Sequence, residues 1–101
     1  MAVKSTNESF HQDIAEGLVL ADFYSDSCIP CKRMSPVLAE LEKEDPGVKL
    51  VKLNINFGAE TAAEYEVTSV PTLVFFRDGK EVRRVTGAVK KAQIEEILKT
   101  L

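Results

Sequence analysis

The sequence predicts an α/β fold: a central mixed β-sheet of four to five strands flanked by four helices. Three observations predict it. Strand-like and helix-like segments alternate with short connections, as α/β domains require. The run Leu18-Val19-Leu20-Ala21-Asp22-Phe23-Tyr24 is almost continuously apolar, the pattern of a central strand covered on both faces. Asp78-Gly79 separates two β-type segments and is a strong hairpin signal. At 101 residues, with no repeat, linker or low-complexity tract, the chain reads as one domain over residues 1–101, large enough to bury a core without staples.

Taken in order, a short strand is possible near Val3. A first helix is expected from Thr6 to Glu16, capped by Thr6 or Asn7. Phe10 and Ile14 share one face of it, and Gly17 ends it. His11 is expected on its solvated surface. The apolar run 18–24 follows. Ile29 to Glu44 reads as the second helix, because Cys31, Met34, Leu38 and Leu41 recur at helical spacing. Pro36 lies inside that pattern, removes one backbone hydrogen bond and should kink the helix. Asp45-Pro46-Gly47 stops it.

Val48 to Ile55 is the next expected strand, and Gly58 to Tyr65 a short, weakly amphipathic helix. Thr72 to Phe76 is a second buried strand, with Glu81 to Thr86 as its antiparallel partner. The adjacent Arg83 and Arg84 suit an edge with a charged rim. A last helix from about Lys90 to Leu101 carries the stripe Ile94, Ile97, Leu98 and Leu101. The strands flanking the second helix should be parallel, joined by a right-handed crossover.

Composition narrows the function. Hydrophobic residues make up 45 % and charged residues 29 %, an ordinary globular balance. A net charge of −3 argues against nucleic acid, because phosphate binding wants a basic face. No segment approaches the roughly 20 apolar residues that span a bilayer. The N-terminal stretch from Met1 to Asn7 has no apolar core of signal-peptide length, so no export signal is expected. A cytoplasmic location without membrane association is the default reading, and a monomer the expected state.

The chain has two cysteines, Cys28 and Cys31, three positions apart. Two are too few for a disulfide framework; in a reducing compartment such a pair is redox-active or metal-binding more often than structural. Residues at this spacing on a helical turn lie about 5–6 Å apart at Cβ, close to what a disulfide needs. The small ring stabilises a fold by only roughly 2 kcal/mol. That is weak for a staple and suited to a bond that opens and closes. Cys28 sits where the second helix begins, where free N–H groups and the helix dipole favour an anion, so it is the expected nucleophile. Cys31, one turn inside on the apolar face, is placed to resolve a mixed disulfide on Cys28. Pro30 suits the first turn, having no N–H to leave unsatisfied. Inert buried thiols are one alternative. Half of a zinc site is another, but it needs ligands from His11 or a second subunit.

Asp22 interrupts the buried strand. A carboxylate there is costly unless paired or protonated. It either exchanges protons with Cys31 or bonds to nearby backbone. Lys52, in the neighbouring strand, is its partner or a solvent-facing lysine.

The ordered set of Asp22-Phe23, Cys28-Ile29-Pro30-Cys31-Lys32, Pro36, Lys52-Leu53-Asn54, Val70-Pro71-Thr72, Asp78-Gly79 and Gly87 resembles the thioredoxin family over nearly the whole length. The resemblance implies a thioredoxin fold and a protein dithiol–disulfide oxidoreductase. Cys28 would be the attacking thiolate, Cys31 the resolving thiol, Asp22 the carboxylate behind it and Lys52 its neighbour. Pro71 would be a cis proline packed against the disulfide. Val70 would offer backbone to an extended substrate, and Gly87 would line the docking surface with Ser27, Ile29 and Pro30. No metal or bound organic cofactor is implied beyond the redox-active Cys28–Cys31 disulfide. The partners implied are disulfide-bearing client proteins and a thioredoxin reductase, flavin-containing and NADPH-driven or ferredoxin-dependent.

The chain departs from the family where Trp-Cys-Gly-Pro-Cys is usual. It has Ser27-Cys28-Ile29-Pro30-Cys31 and no tryptophan. Tyr24 stands where many members carry tryptophan, and Asn56 where many carry aspartate. Two alternatives follow: a specialised member with a dedicated reductase or client, or a binding module on the same fold whose thiols are incidental.

Overall fold

The computed structural model describes residues 2–101; Met1, where the predicted domain and the N-terminal reading both begin, lies outside the described residues. The elements are β1 (Val3–Lys4), α1 (Phe10–Asp13), β2 (Leu18–Tyr24), α2 (Ile29–Glu44), β3 (Lys49–Asn54), α3 (Ala59–Glu64), β4 (Thr72–Arg77), β5 (Lys80–Thr86) and α4 (Lys91–Lys99). They form the predicted mixed sheet of five strands with four helices, in the order β1-β3-β2-β4-β5. β2 runs parallel to β3 and antiparallel to β4, which pairs antiparallel with β5.

β2 and α2 have the bounds that the sequence predicts, and most other elements differ from prediction by a residue or two at their ends. α1 differs more. Only Phe10–Asp13 is α-helical, with turns on both sides. Of the two residues expected to start the helix, Thr6 accepts the Ser9 N–H on its Oγ1 in the turn that leads into α1. Ser9 Oγ accepts from the Thr6 N–H and donates to Asp13, and Ser5 Oγ also donates to Asp13. Asn7 caps a different helix, accepting from the N–H and hydroxyl of Thr61 in the first turn of α3. Gly58, at the N-cap of α3, has no side chain to do this. Such side chains compete with the helical backbone pattern.

Two apolar clusters lie on opposite faces of the sheet. One joins Phe10 of α1, Ile14 just after it and Ala62 of α3 to Val19, Ala21, Phe23, Val51, Leu53, Val74 and Phe76. The other joins Met34, Leu38 and Leu41 of α2 and Ile94 and Ile97 of α4 to Leu20, Leu50, Leu73 and Phe75. Lys91 ties α4 to α2 by pairing with Glu40 and Glu44. Asp78 and Gly79 have φ of 51° and 84°, the two positive values of the tight hairpin turn that Asp-Gly favours. β5 carries a bulge opposite Phe75 and Phe76, where Arg83 and then Glu81 are the partners. The extra residue is Val82, which has no ladder partner.

Candidate functional site

β2 and β3 each change character along one face. Leu20 and Leu50 belong to the core beneath α2; two residues further on come Asp22 and Lys52, and then Tyr24 and Asn54. Asp22 pairs in register with Lys52 on one side and Leu73 on the other. The polar ends of these strands meet the N-terminus of α2 across a cleft of about 170 Å³, lined in part by Asp22, Tyr24, Asp26, Cys31, Lys32 and Lys52.

Cys28 is the N-cap of α2, with extended backbone and Pro30 in the first turn. Cys28 and Cys31 are joined by a disulfide with Cα atoms 5.2 Å apart. The Cys31 N–H donates to Cys28 Sγ at 3.1 Å, so a free N–H of the helix start points at the outer sulfur. Cys28 is partly exposed, and Cys31 is 6 % exposed. Ser27, Ile29 and Pro30 are exposed around the pair, Ile29 at 64 %. The Val70–Pro71 peptide is cis, as the resemblance implies. Pro71 is buried, and its carbonyl accepts the Gly87 N–H at 2.8 Å, which places Val70, Pro71 and Gly87 together.

Asp22 is 2 % exposed, and its Oδ1 has no hydrogen-bond partner. That excludes a backbone bond to this oxygen. Burial pushes the carboxyl from its ordinary 3.8 up to about 6, with Lys52 opposing through space. The Lys52 ammonium lies 5.3 Å from the centroid of the Tyr24 ring, within cation–π range. Burial raises the Tyr24 hydroxyl pKa, and the charges of Asp26 and Asp22 add to the effect.

Two relations escape the sequence reading. Asp26 accepts from the side-chain amides of Asn54 and Asn56 at 3.0 and 3.3 Å. An aspartate at 56 would set a like charge there. The period of two along β3 puts Asn54 beside Lys52 and could have pointed to this end of β2. The second relation, the hold of Tyr24 on Lys52, crosses the β2–β3 pairing. His11 is exposed and bonded to Glu64 at 2.6 Å. Among the described residues, no cluster of three or more His, Cys, Asp or Glu side chains could hold a metal ion. No helix among them is long and apolar enough to cross a membrane.

A disulfide spanning one helical turn, with one cysteine partly exposed and the other lining a cleft with a buried carboxyl, places this protein among the dithiol–disulfide oxidoreductases. The family model described as thioredoxin matches residues 1–100. The thioredoxin of Chlamydia pneumoniae is 42 % identical over 93 residues, covering 92 % of this chain and 91 % of that protein. The thioredoxin of Bacillus subtilis is 41 % identical over 97 residues, covering 95 % and 93 %. A solved structure superposes with a TM-score of 0.91 at 33 % identity, covering 99 % of this chain and 95 % of that one. Its subject is the thiol resolving mechanism in yeast mitochondrial 1-Cys peroxiredoxin via glutathione/thioredoxin systems. The chain belongs to the thioredoxin family, and its redox group is a pair of its own cysteines. Membership implies a reductase and disulfide-bearing clients in general terms.

Proposed function

We propose that residues 1–101 act as one domain, a cytoplasmic monomer that reduces protein disulfides with Cys28 as nucleophile and Cys31 as resolving thiol. The observation that carries the assignment of roles is the asymmetry of the pair: Cys28 is partly exposed at the helix start, and Cys31 is buried behind it. In the reduced protein, the Cys28 thiolate attacks one sulfur of a client disulfide. A mixed disulfide forms and one client thiolate leaves. Cys31 gives its proton to the Asp22 carboxylate, attacks Cys28 Sγ, and the second client thiolate leaves. Two electrons have passed to the client, and the Cys28–Cys31 disulfide has formed. Asp22 suits this part because a carboxyl held near 6 is mostly ionised at neutral pH and still basic enough to take a proton. Lys52 offsets the buried charge once Asp22 ionises.

The docking surface is assigned to Ser27, Ile29 and Pro30 beside the pair in sequence, together with Val70, Pro71 and Gly87. An exposed isoleucine supports an apolar contact with clients. Return of electrons is assigned to a thioredoxin reductase, flavin-containing and NADPH-driven or ferredoxin-dependent; assay against both types separates them. The roles are tested by insulin-reduction turbidity with dithiothreitol and by trapping. Cys31→Ser should accumulate a mixed disulfide with a client through Cys28, and Cys28→Ser should be inactive. Full activity in Cys28→Ser would overturn the assignment.

A further inference from the structure

We propose that Tyr24 is a positioning residue that sets how readily Asp22 takes up a proton, by holding the Lys52 ammonium on its ring and off the Asp22 carboxyl. Three observations carry this. Asp22 and Lys52 are in-register neighbours on adjacent strands, the closest lateral relation a sheet offers. Yet Asp22 Oδ1 has no partner. The ammonium lies instead 5.3 Å from the Tyr24 ring centroid, two residues along the same face of β2 from Asp22.

The charged and titratable groups around Asp22 come from each neighbouring element. Lys52 faces it from β3, Asp26 from the β2–α2 loop, Cys31 and Lys32 from α2, and Tyr24 from its own strand, while β4 presents the apolar Leu73. Lys52 is the cation that acts on Asp22, and Asp26 is engaged by Asn54 and Asn56. The position of the Lys52 side chain is therefore what tunes the carboxyl, and the aromatic face of Tyr24 fixes that position. Removing the ring frees Lys52 to pair with Asp22, its buried in-register neighbour, which favours the ionised form of the carboxyl.

The inference rests on the proposed exchange of a proton between Asp22 and Cys31 for its bearing on catalysis, and the experiment separates the two. Carboxyl carbon NMR of the oxidised protein follows the Asp22 titration in wild type, Tyr24→Phe, Tyr24→Leu, Lys52→Met and the Tyr24→Leu/Lys52→Met pair. Tyr24→Leu should lower the Asp22 midpoint by roughly half to one pH unit. Tyr24→Phe, which keeps the ring, should titrate like wild type. In the Lys52→Met background, the Tyr24→Leu shift should fall to less than half, because its agent is gone. No shift in Tyr24→Leu, or one that persists by more than half without Lys52, would mean that the ring acts by shielding or not at all, and would overturn the proposal. If Tyr24→Leu does not fold, the Lys52 ε-methylene protons of wild type and Tyr24→Phe decide. Upfield ring-current shifts are expected, and positions typical of an unstructured lysine refute the contact. The pH profile of client reduction is read in parallel. A moved titration with an unmoved rate profile would refute the role of Asp22 toward Cys31 and leave the Tyr24–Lys52 hold standing.

Discussion

Odd and even residues of β2 and β3 meet different surroundings. Val19, Ala21, Phe23, Val51 and Leu53 all lie in the apolar cluster under α1 and α3. On the other face Leu20 and Leu50 lie in the cluster under α2 and α4, but Asp22, Tyr24, Lys52 and Asn54 follow them. One face is closed from Val51 to Leu53 on β3 and from Val19 to Phe23 on β2, and the other opens into the cleft lined by Cys31. The closed face supplies stability. The open face gives some of it up, because a buried carboxyl opposes folding once it ionises. Strand alternation lets one backbone serve both ends without either compromising the other.

The largest effect is expected on the closed face. Phe23 is fully buried and packs against Phe10 with ring centroids 5.5 Å apart. Phe23→Ala should lower the unfolding free energy in urea by about 3–5 kcal/mol. Client reduction per folded molecule should stay close to wild type. A large rate loss at full folding would show that the two faces are not independent.

A change of opposite sign is expected on the open face. The folded Asp22 carboxyl holds its proton up to about pH 6, whereas its ordinary value is 3.8. Between these values the folded state binds more protons than the unfolded one, so stability falls as pH rises. The penalty is absent below about pH 3.8 and complete above about pH 6, where it amounts to about 3 kcal/mol. Asp22→Asn should gain that amount over wild type between pH 3 and pH 8, a difference in which any constant cost of the amide cancels. Parallel stability curves for the two proteins across this range would refute the account of Asp22. The same substitution should slow client reduction.

The smallest effect sharpens the boundary between the faces. A Cβ at Gly58 would stand 2.6 Å from Leu53 Cδ1 and 2.8 Å from Cγ, and Leu53 belongs to the closed face. Gly58→Ala should destabilise by about 1–3 kcal/mol without moving the pH dependence of stability. Thermal denaturation at pH 5 and pH 8 checks both parts.

Much of this was legible in the sequence. The run 18–24 and the stripe Cys31, Met34, Leu38 and Leu41 carry strong periods, and β2 and α2 have the predicted bounds. The Asp-Gly turn and the cysteine pair at a helix start declare themselves locally. α1 is shorter than predicted because Ser5, Ser9 and Asn7 bond across turns and to Thr61, more than fifty residues away. Such partners leave no periodic signal. The engagement of Asp26 by Asn54 and Asn56 was hidden for the same reason. The Tyr24–Lys52 contact depends on strand pairing, which becomes readable only once the register is known. The cis bond before Pro71 was accessible through the family resemblance alone, because cis and trans prolines look alike in a single sequence.

Reduction of client disulfides requires that the open face adjoin a reversible dithiol that donates electrons. Its most direct test is the reduction potential of the Cys28–Cys31 couple, measured by equilibration in dithiothreitol or glutathione buffers with alkylation and mass spectrometry of the trapped forms. A reversible two-electron couple at or below a reducing glutathione poise of about −220 mV is expected. A potential near about −120 mV, the range of a strong disulfide donor, or a pair that does not titrate reversibly, would contradict it.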